Sequence, residues 1–208
     1  MPRRSAADAA LTRASIIDRS VEVASVEGLE GLTIGRLATD LDMSKAGVIG
    51  HFGTKEELQL AALSAARAVY KREVWDRAAA VAPEPGRARL LAIADAWISY
   101  LARDVFPGGC FITSASCEFD DRPGRVRDAI RAQHEEWLRV LTREAKAAVA
   151  AGDLPRGTRP DDVAFTMNAI AMGTNQARHL AHDPDAASRG WRAMRALLDA
   201  PRARRRFA

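Results

Sequence analysis

The sequence predicts an all-α fold of about nine helices, and three observations carry that prediction. Apolar residues recur at three- and four-residue spacing along most of the chain. No stretch alternates in the two-residue period of a half-buried strand. Breaks rich in proline, glycine and aspartate divide the chain at Pro83-Glu84-Pro85-Gly86, Pro107-Gly108-Gly109, Asp120-Asp121-Arg122-Pro123 and Gly152 to Pro160. The expected organisation is a three-helix module over residues 1–55, a larger helical body over 56–200 and a basic tail over 201–208.

The most informative stretch runs from Leu32 to Leu58. Thr33 is placed as an N-cap, and Ile34, Leu37, Ala38 and Leu41 follow on one face of a short helix. Asp42 and Met43 then turn the chain, because aspartate is poor inside a helix and tolerates the left-handed conformation of a sharp bend. Ser44 caps a second helix with Val48, Ile49 and Phe52 expected inward, leaving Ser44, Lys45, Ala46, Gly47, Gly50 and His51 outward. Thr54-Lys55-Glu56-Glu57 reads as a capping box, with Thr54 at N-cap and Glu57 at N3, opening a long helix that reaches about Ala80.

Further along, Arg87 to Arg103 should bury Leu90, Leu91, Ala94, Trp97, Ile98 and Leu101, and Cys110 to Glu118 forms a short apolar helix. The segment from Asp120 restarts the chain with Pro123 in the first turn of a helix that carries Val126, Ile130, Trp137, Leu138 and Leu141. Two last helices span Asp161 to about His182 and Asp185 to Asp199.

Function is read from the outward face of the second short helix. Alanine and glycine are unusual on a merely solvated face, but they let a helix backbone approach base edges in a major groove, with Lys45 supplying charge beside them. Spacing alone also fits an ordinary helical hairpin within an all-α core. The stretch Leu32 to Leu58 resembles the DNA-binding motif of the TetR family of transcriptional regulators, with Ile16, Ile17, Ala24 and Gly28 falling where that family's first helix and its terminating glycine lie. The resemblance covers roughly the first 60 residues by motif, and the remainder only by length and helical organisation.

The resemblance implies a homodimer, a repressor in function, that binds a near-palindromic double-stranded operator and is controlled by a small-molecule ligand. It implies DNA contacts, mostly to phosphates, from Thr33, Lys45, His51 and Lys55, and base contacts at Ala46 and Gly47. Ser44 and Gly50 complete the expected DNA-binding set. Asp42 stands where the family carries a turn glycine. Ile49 and Gly50 stand where it usually carries an aromatic residue and often a second large or basic one, so a phosphate contact from position 49 is lost.

Charge does not by itself argue for nucleic acid. The net charge is +4, but residues 1–60 hold seven Lys/Arg against nine Asp/Glu, residues 61–200 hold 20 against 18, and the last eight hold four arginines. DNA affinity must therefore come from a few placed cations and helix N-termini rather than a bulk basic field. Arg3 and Arg4, and Arg202, Arg204, Arg205 and Arg206, could touch DNA or be solvated termini. No run approaches the roughly 18 apolar residues of a spanning helix and no signal peptide is apparent, so cytoplasmic residence is expected and a membrane partner is not.

In the body, Trp97, Phe106, Cys110, Phe111, Cys117, Trp137 and Phe165, with Asn175, Gln176 and His179 as polar anchors, are candidate contacts for a small hydrophobic or aromatic effector; core packing explains the same residues. Cys110 and Cys117, expected on one face of their helix, could form a thiol sensor, although buried structural cysteine is the simpler reading. His179 and His182 are too few for a metal site, and neither metal nor cofactor is expected. Ala169, Gly173 and Ala177 form a small-residue stripe, with Leu180, Trp191, Met194 and Leu198 adding apolar area, suited either to internal packing or to a four-helix dimer interface. No nucleophile elbow, zinc-protease motif or phosphate loop is present, and Ser114 and Ser116 have no patterned base, so an enzyme is not expected.

Overall fold

A computed structural model of the chain describes residues 6–199. The terminal arginine clusters at 3–4 and 202–206, and the tail 201–208, lie outside them. Every element among the described residues is helical. In chain order these are α1 (Ala6–Gly31), α2 (Ile34–Asp40), α3 (Lys45–Phe52), α4 (Lys55–Tyr70), a π-helical turn (Lys71–Asp76), α5 (Arg77–Val81), α6 (Arg87–Ala102), α7 (Phe111–Glu118), α8 (Arg125–Ala150), α9 (Pro160–His179) and α10 (Ala186–Leu198). Counting α4, the π turn and α5 as one helix gives nine.

The helices form two compact units, each interrupted in sequence. Among the described residues, 6–69 gather with Phe106–Arg131, and Tyr70–Val105 gather with 132–199.

The first unit is organised around Ile16, Leu29, Leu32, Leu37, Val48 and Leu58, all fully buried. At about 25 cal/mol per Å2 of apolar surface removed from water, side chains of this size supply most of the drive for three short helices that would not persist alone. The segment leading into α7 joins this core through Phe106 and Phe111, whose ring centroids lie 5.8 Å apart. Gly108 lies against the α1 backbone so closely that an added Cβ would sit 1.5 Å from the Ser25 carbonyl oxygen, a position open only to glycine.

Near its end α1 breaks at Gly28, at φ 80 and ψ 164. This region is essentially restricted to glycine. The break frees the next peptide N–H groups from the helical ladder, and the Glu118 carboxylate at the end of α7 accepts from both Leu29 N and Glu30 N at 2.8 Å. The corresponding carbonyls are taken by α4: Gln59 Nε2 donates to Leu29 O at 2.8 Å and Lys55 Nζ to Glu30 O at 2.7 Å. A backbone irregularity inside the unit is thus fully hydrogen-bonded by side chains from two other helices.

In the second unit, α6 packs against α9, α10, α5 and the π turn. Leu90, Ile93, Met167, Met194 and Leu198 are fully buried within it. Gly190 lets α10 approach: a Cβ there would lie 2.2 Å from Thr174 Oγ1 and 3.0 Å from Ile98 Cδ1. Tyr70 meets Trp97, Tyr100 and Trp137 edge to face, with centroids 6.0, 5.5 and 5.3 Å apart, and the two indoles stand 5.3 Å from each other. Such edge-on contacts satisfy the ring quadrupoles better than face-to-face stacking.

Two local expectations change. Pro123 does not enter the following helix, which begins only at Arg125 after Gly124 at φ 140. The capping box is one-sided: Thr54 Oγ1 accepts from Glu57 N at 3.1 Å, but Thr54 N donates to Phe52 O and the Glu57 carboxylate instead accepts from Arg125 at 2.6 Å.

Candidate nucleic-acid interface

The local chemistry of α2 and α3 forms as the sequence dictates. Thr33 Oγ1 accepts from Arg36 N at 3.1 Å, capping α2. Leu37 and Ala38 are buried, and the helix stops where Met43 N donates to Ala38 O at 2.8 Å across the turn. Asp42 occupies the left-handed region at φ 51, so an aspartate does serve as the turn residue. Ser44 Oγ then accepts from Gly47 N at 3.0 Å and starts α3.

On α3, Val48 and Phe52 face the core. The expectation that Ile49 also points inward is corrected, because it is 44% exposed. At 100° per residue, position 49 lies on the flank of α3, and the adjoining core is already filled by Val48 and Phe52. The solvent side consists of Ser44, Lys45, Ala46, Ile49 and Gly50, with Gly47 and His51 half-buried. A Cβ added at Gly50 would meet nothing within 4 Å, whereas at Gly47 it would meet Ser44 Oγ at 3.2 Å. This surface is low and open along 46–50.

The nearby cations are not equivalent. Lys45 is exposed and makes no ion pair with the described residues, leaving its full charge for an external anion. Lys55 is half-committed: besides Glu30 O, its ammonium lies 3.1 Å from the Glu30 carboxylate. That hydrogen bond is the main reason the Glu30 carboxyl is held below the usual carboxylate range. Arg19 and Arg36 both converge on Asp40, at 2.7 and 2.9 Å. The pair holds the Asp40 carboxyl low, Arg19 foremost. This triad ties α1 to α2 and commits two arginines internally. Sequence reading missed it, although Arg36 and Asp40 at i, i+4 on one helix were a visible signal.

The remaining candidate residues fall into both units. Phe106, Cys110 and Phe111 are buried in the first, and Cys117 is exposed there, so the two cysteines do not share an environment. In the second unit, Trp97 and Asn175 are buried, Trp137 and His179 half-buried, and Gln176 exposed. The indole N–H groups of Trp97 and Trp137 and the His179 Nε2 are buried with no hydrogen-bond partner among the described residues. Burial is the leading reason the His179 imidazole is pushed below its ordinary pKa, with the Asp104 carboxylate opposing. Phe165 is 69% exposed.

Along α9, Phe165, Ala169, Gly173, Gln176 and Leu180 are all exposed at i, i+4, i+8, i+11 and i+15, with Leu180 at 73% and open space at Gly173. Ala177 and Trp191 are half-buried, and the Trp191 indole donates to Asp95. Met194 and Leu198 are already enclosed within the second unit. Among the described residues no helix is long and apolar enough to cross a membrane, and no group of three or more His, Cys, Asp or Glu gathers as metal ligands.

Comparison with known proteins agrees with this geometry. Residues 16–62 match the model for bacterial regulatory proteins of the tetR family, and residues 86–194 match that for a tetracyclin repressor-like C-terminal domain. The chain belongs to the TetR family of DNA-binding transcriptional regulators. No curated protein matches it. Among solved structures, a TetR transcriptional regulator from Chloroflexus aurantiacus J-10-FL superposes with a TM-score of 0.80 at 22% identity, covering 93% of this chain and 97% of that one. A TetR family regulator from Cytophaga hutchinsonii gives a TM-score of 0.80 at 22% identity over 97% and 99%. AibR, solved in complex with isovaleryl coenzyme A and operator DNA, gives 0.70 at 20% identity over 91% and 98%.

Proposed function

We propose that the protein is a homodimeric repressor that inserts α3 into the major groove of each half of a near-palindromic operator and is controlled by a small effector. The observation that carries this reading is the α3 surface: a capped helix whose solvent side is Ser44, Lys45, Ala46, Ile49 and Gly50, low enough for close backbone approach and bearing one free cation. Thr33 and His51 flank it, and Lys55 contributes to phosphate binding by exchanging part of its Glu30 pairing for an external anion. Paired readers should stand about 34–36 Å apart, or a multiple of that turn.

Dimerisation is assigned to the open α9 face, Phe165 to Leu180, where Gly173 and Ala169 permit close helix approach and the flanking apolar side chains supply area. Met194 and Leu198 support that face from inside rather than meeting a partner. The effector is a small hydrophobic or aromatic molecule, received in the second unit beside Trp97 and Trp137, whose buried indole N–H groups would serve an oxygen acceptor. AibR, bound both to an acyl-coenzyme A and to operator DNA, supports such control in this fold. The protein acts by binding, not catalysis, and works in the cytoplasm where its operator lies.

The test is binding of the full-length protein to duplexes from the region upstream of its own gene and its neighbours. Affinity should fall steeply with salt, and substrates of the neighbouring gene products should release the protein. Absence of saturable, salt-dependent binding to any of these duplexes would refute the reading.

A further inference from the structure

We propose that Ile49 reads the C5-methyl group of a thymine in each operator half-site, making it the specificity-determining side chain of α3. The inference rests on the assignment of α3 as the DNA-reading helix and goes beyond it.

Six large apolar side chains are strongly exposed among the described residues, and of these only Ile49 lies on α3. Its position is not an accident of a loose helix: α3 is capped by Ser44, anchored by Val48 and Phe52, and ends at Gly53, whose N–H donates to Ile49 O at 2.6 Å. A β-branched side chain in a helix keeps one dominant rotamer, so Ile49 is held in place before any ligand arrives. Its neighbours on the solvent side are Ala46 one turn back and Gly50, where an added Cβ would have nothing within 4 Å. Between Lys45 and His51, Ile49 is therefore the tallest feature on a stretch otherwise flat enough to reach the groove floor.

The chemistry narrows what it can meet. Positions 46, 47, 49 and 50 carry no side-chain hydrogen-bonding atom, so direct readout by donors and acceptors is confined to Ser44, Lys45 and His51 at the ends of the helix. An isoleucine gains nothing from a phosphate oxygen. On the major-groove edges of the four base pairs, the apolar feature that distinguishes one from the rest is the thymine methyl. Burial of Ile49 against it removes two apolar surfaces from water at once.

The experiment begins with selection of the preferred duplex from a random pool by the full-length protein. Each thymine of the selected half-site is then replaced by deoxyuridine, which removes only the methyl. One thymine per half-site should lose about fourfold in affinity on replacement, and about fifteenfold when both half-sites are changed, the worth of one buried methyl each. Ile49→Ala, which removes an exposed side chain and should leave the thermal melt intact, should bind the thymine duplex more weakly and be indifferent to deoxyuridine at that position. Indifference of the wild-type protein at every thymine, equal sensitivity in Ile49→Ala, or an enriched half-site with no thymine opposite α3 would overturn the proposal. Enrichment of no sequence at all would overturn the DNA-reading assignment itself, a distinguishable failure.

Discussion

Replacing Gly28 with alanine should destabilise the first unit by about 4 kcal/mol, whereas a glycine-to-alanine exchange ordinarily stabilises a helix interior by roughly 1 kcal/mol. Two contributions add. The backbone at φ 80, ψ 164 lies where an L side chain is strained by roughly 1–3 kcal/mol. The new Cβ would also sit 2.7 and 2.9 Å from the two Glu118 carboxylate oxygens, which must retreat from Leu29 N and Glu30 N. Hydrogen bonds to a charged acceptor contribute about 1.5–3 kcal/mol each, and the half-buried setting of Glu118 favours the lower end. Glu118→Ala alone should cost about 3 kcal/mol by losing the same two bonds. The double variant should then cost at least about 1 kcal/mol less than the sum of the singles, because alanine at 28 no longer has a carboxylate to displace. Urea denaturation of the full chain for wild type, both singles and the double closes the cycle. Strict additivity, or a Gly28→Ala protein as stable as wild type, would refute the account of how the α1 break is held.

Lys45→Ala should lower operator affinity across all sequence variants and reduce the slope of log affinity against log salt by about two, one for each protomer's lysine, read by fluorescence anisotropy. An unchanged slope would mean that Lys45 does not meet phosphate. Gly173→Leu adds a side chain into open space on α9, so the protomer should melt as before while sedimentation shows weakened dimers; an intact dimer would displace the interface from this face. The His179 imidazole is held below its ordinary pKa by burial, so the unfolded chain takes up a proton before the folded one does. Stability should be full above about pH 6.5 and fall as pH drops below it, while Asp104, held low first by its hydrogen bond from Arg178, stays charged. His179→Gln should flatten that decline in urea midpoints measured at several pH values. A parallel decline in wild type and variant would assign the titration to another group.

Much of the reading module was legible because it is written in local chemistry. Thr33, Ser44 and Thr54 cap the helices expected of them, and Asp42 takes the left-handed turn, since each effect spans only three or four residues. Ile49 was misplaced because apolar periodicity cannot say which of three apolar residues the core has room for; Val48 and Phe52 fill it. The same limit applies to α10, where Met194 and Leu198 satisfy an apolar stripe equally well inside a protomer or across a dimer. Phe165 shows the converse, an aromatic at core spacing that the fold turns outward. The Glu118 anchor was invisible for a different reason: it joins residues separated by 88 and 89 positions, and nothing local marks a glutamate as a partner for distant peptide groups.

That anchor has a practical bearing on how this protein can be cut and recombined. By sequence match, α7 belongs with the C-terminal region, since the match over 86–194 contains it, yet its contacts place it with the N-terminal helices. A fragment ending near residue 62 would retain every α3 side chain proposed to face DNA while losing the carboxylate that seats two peptide groups of α1 and the buried Phe106 and Phe111 rings. Grafting this reader onto a foreign sensor therefore requires the transplanted piece to include 106–131, a discontinuous module that a fusion designed along the linear boundary would leave behind.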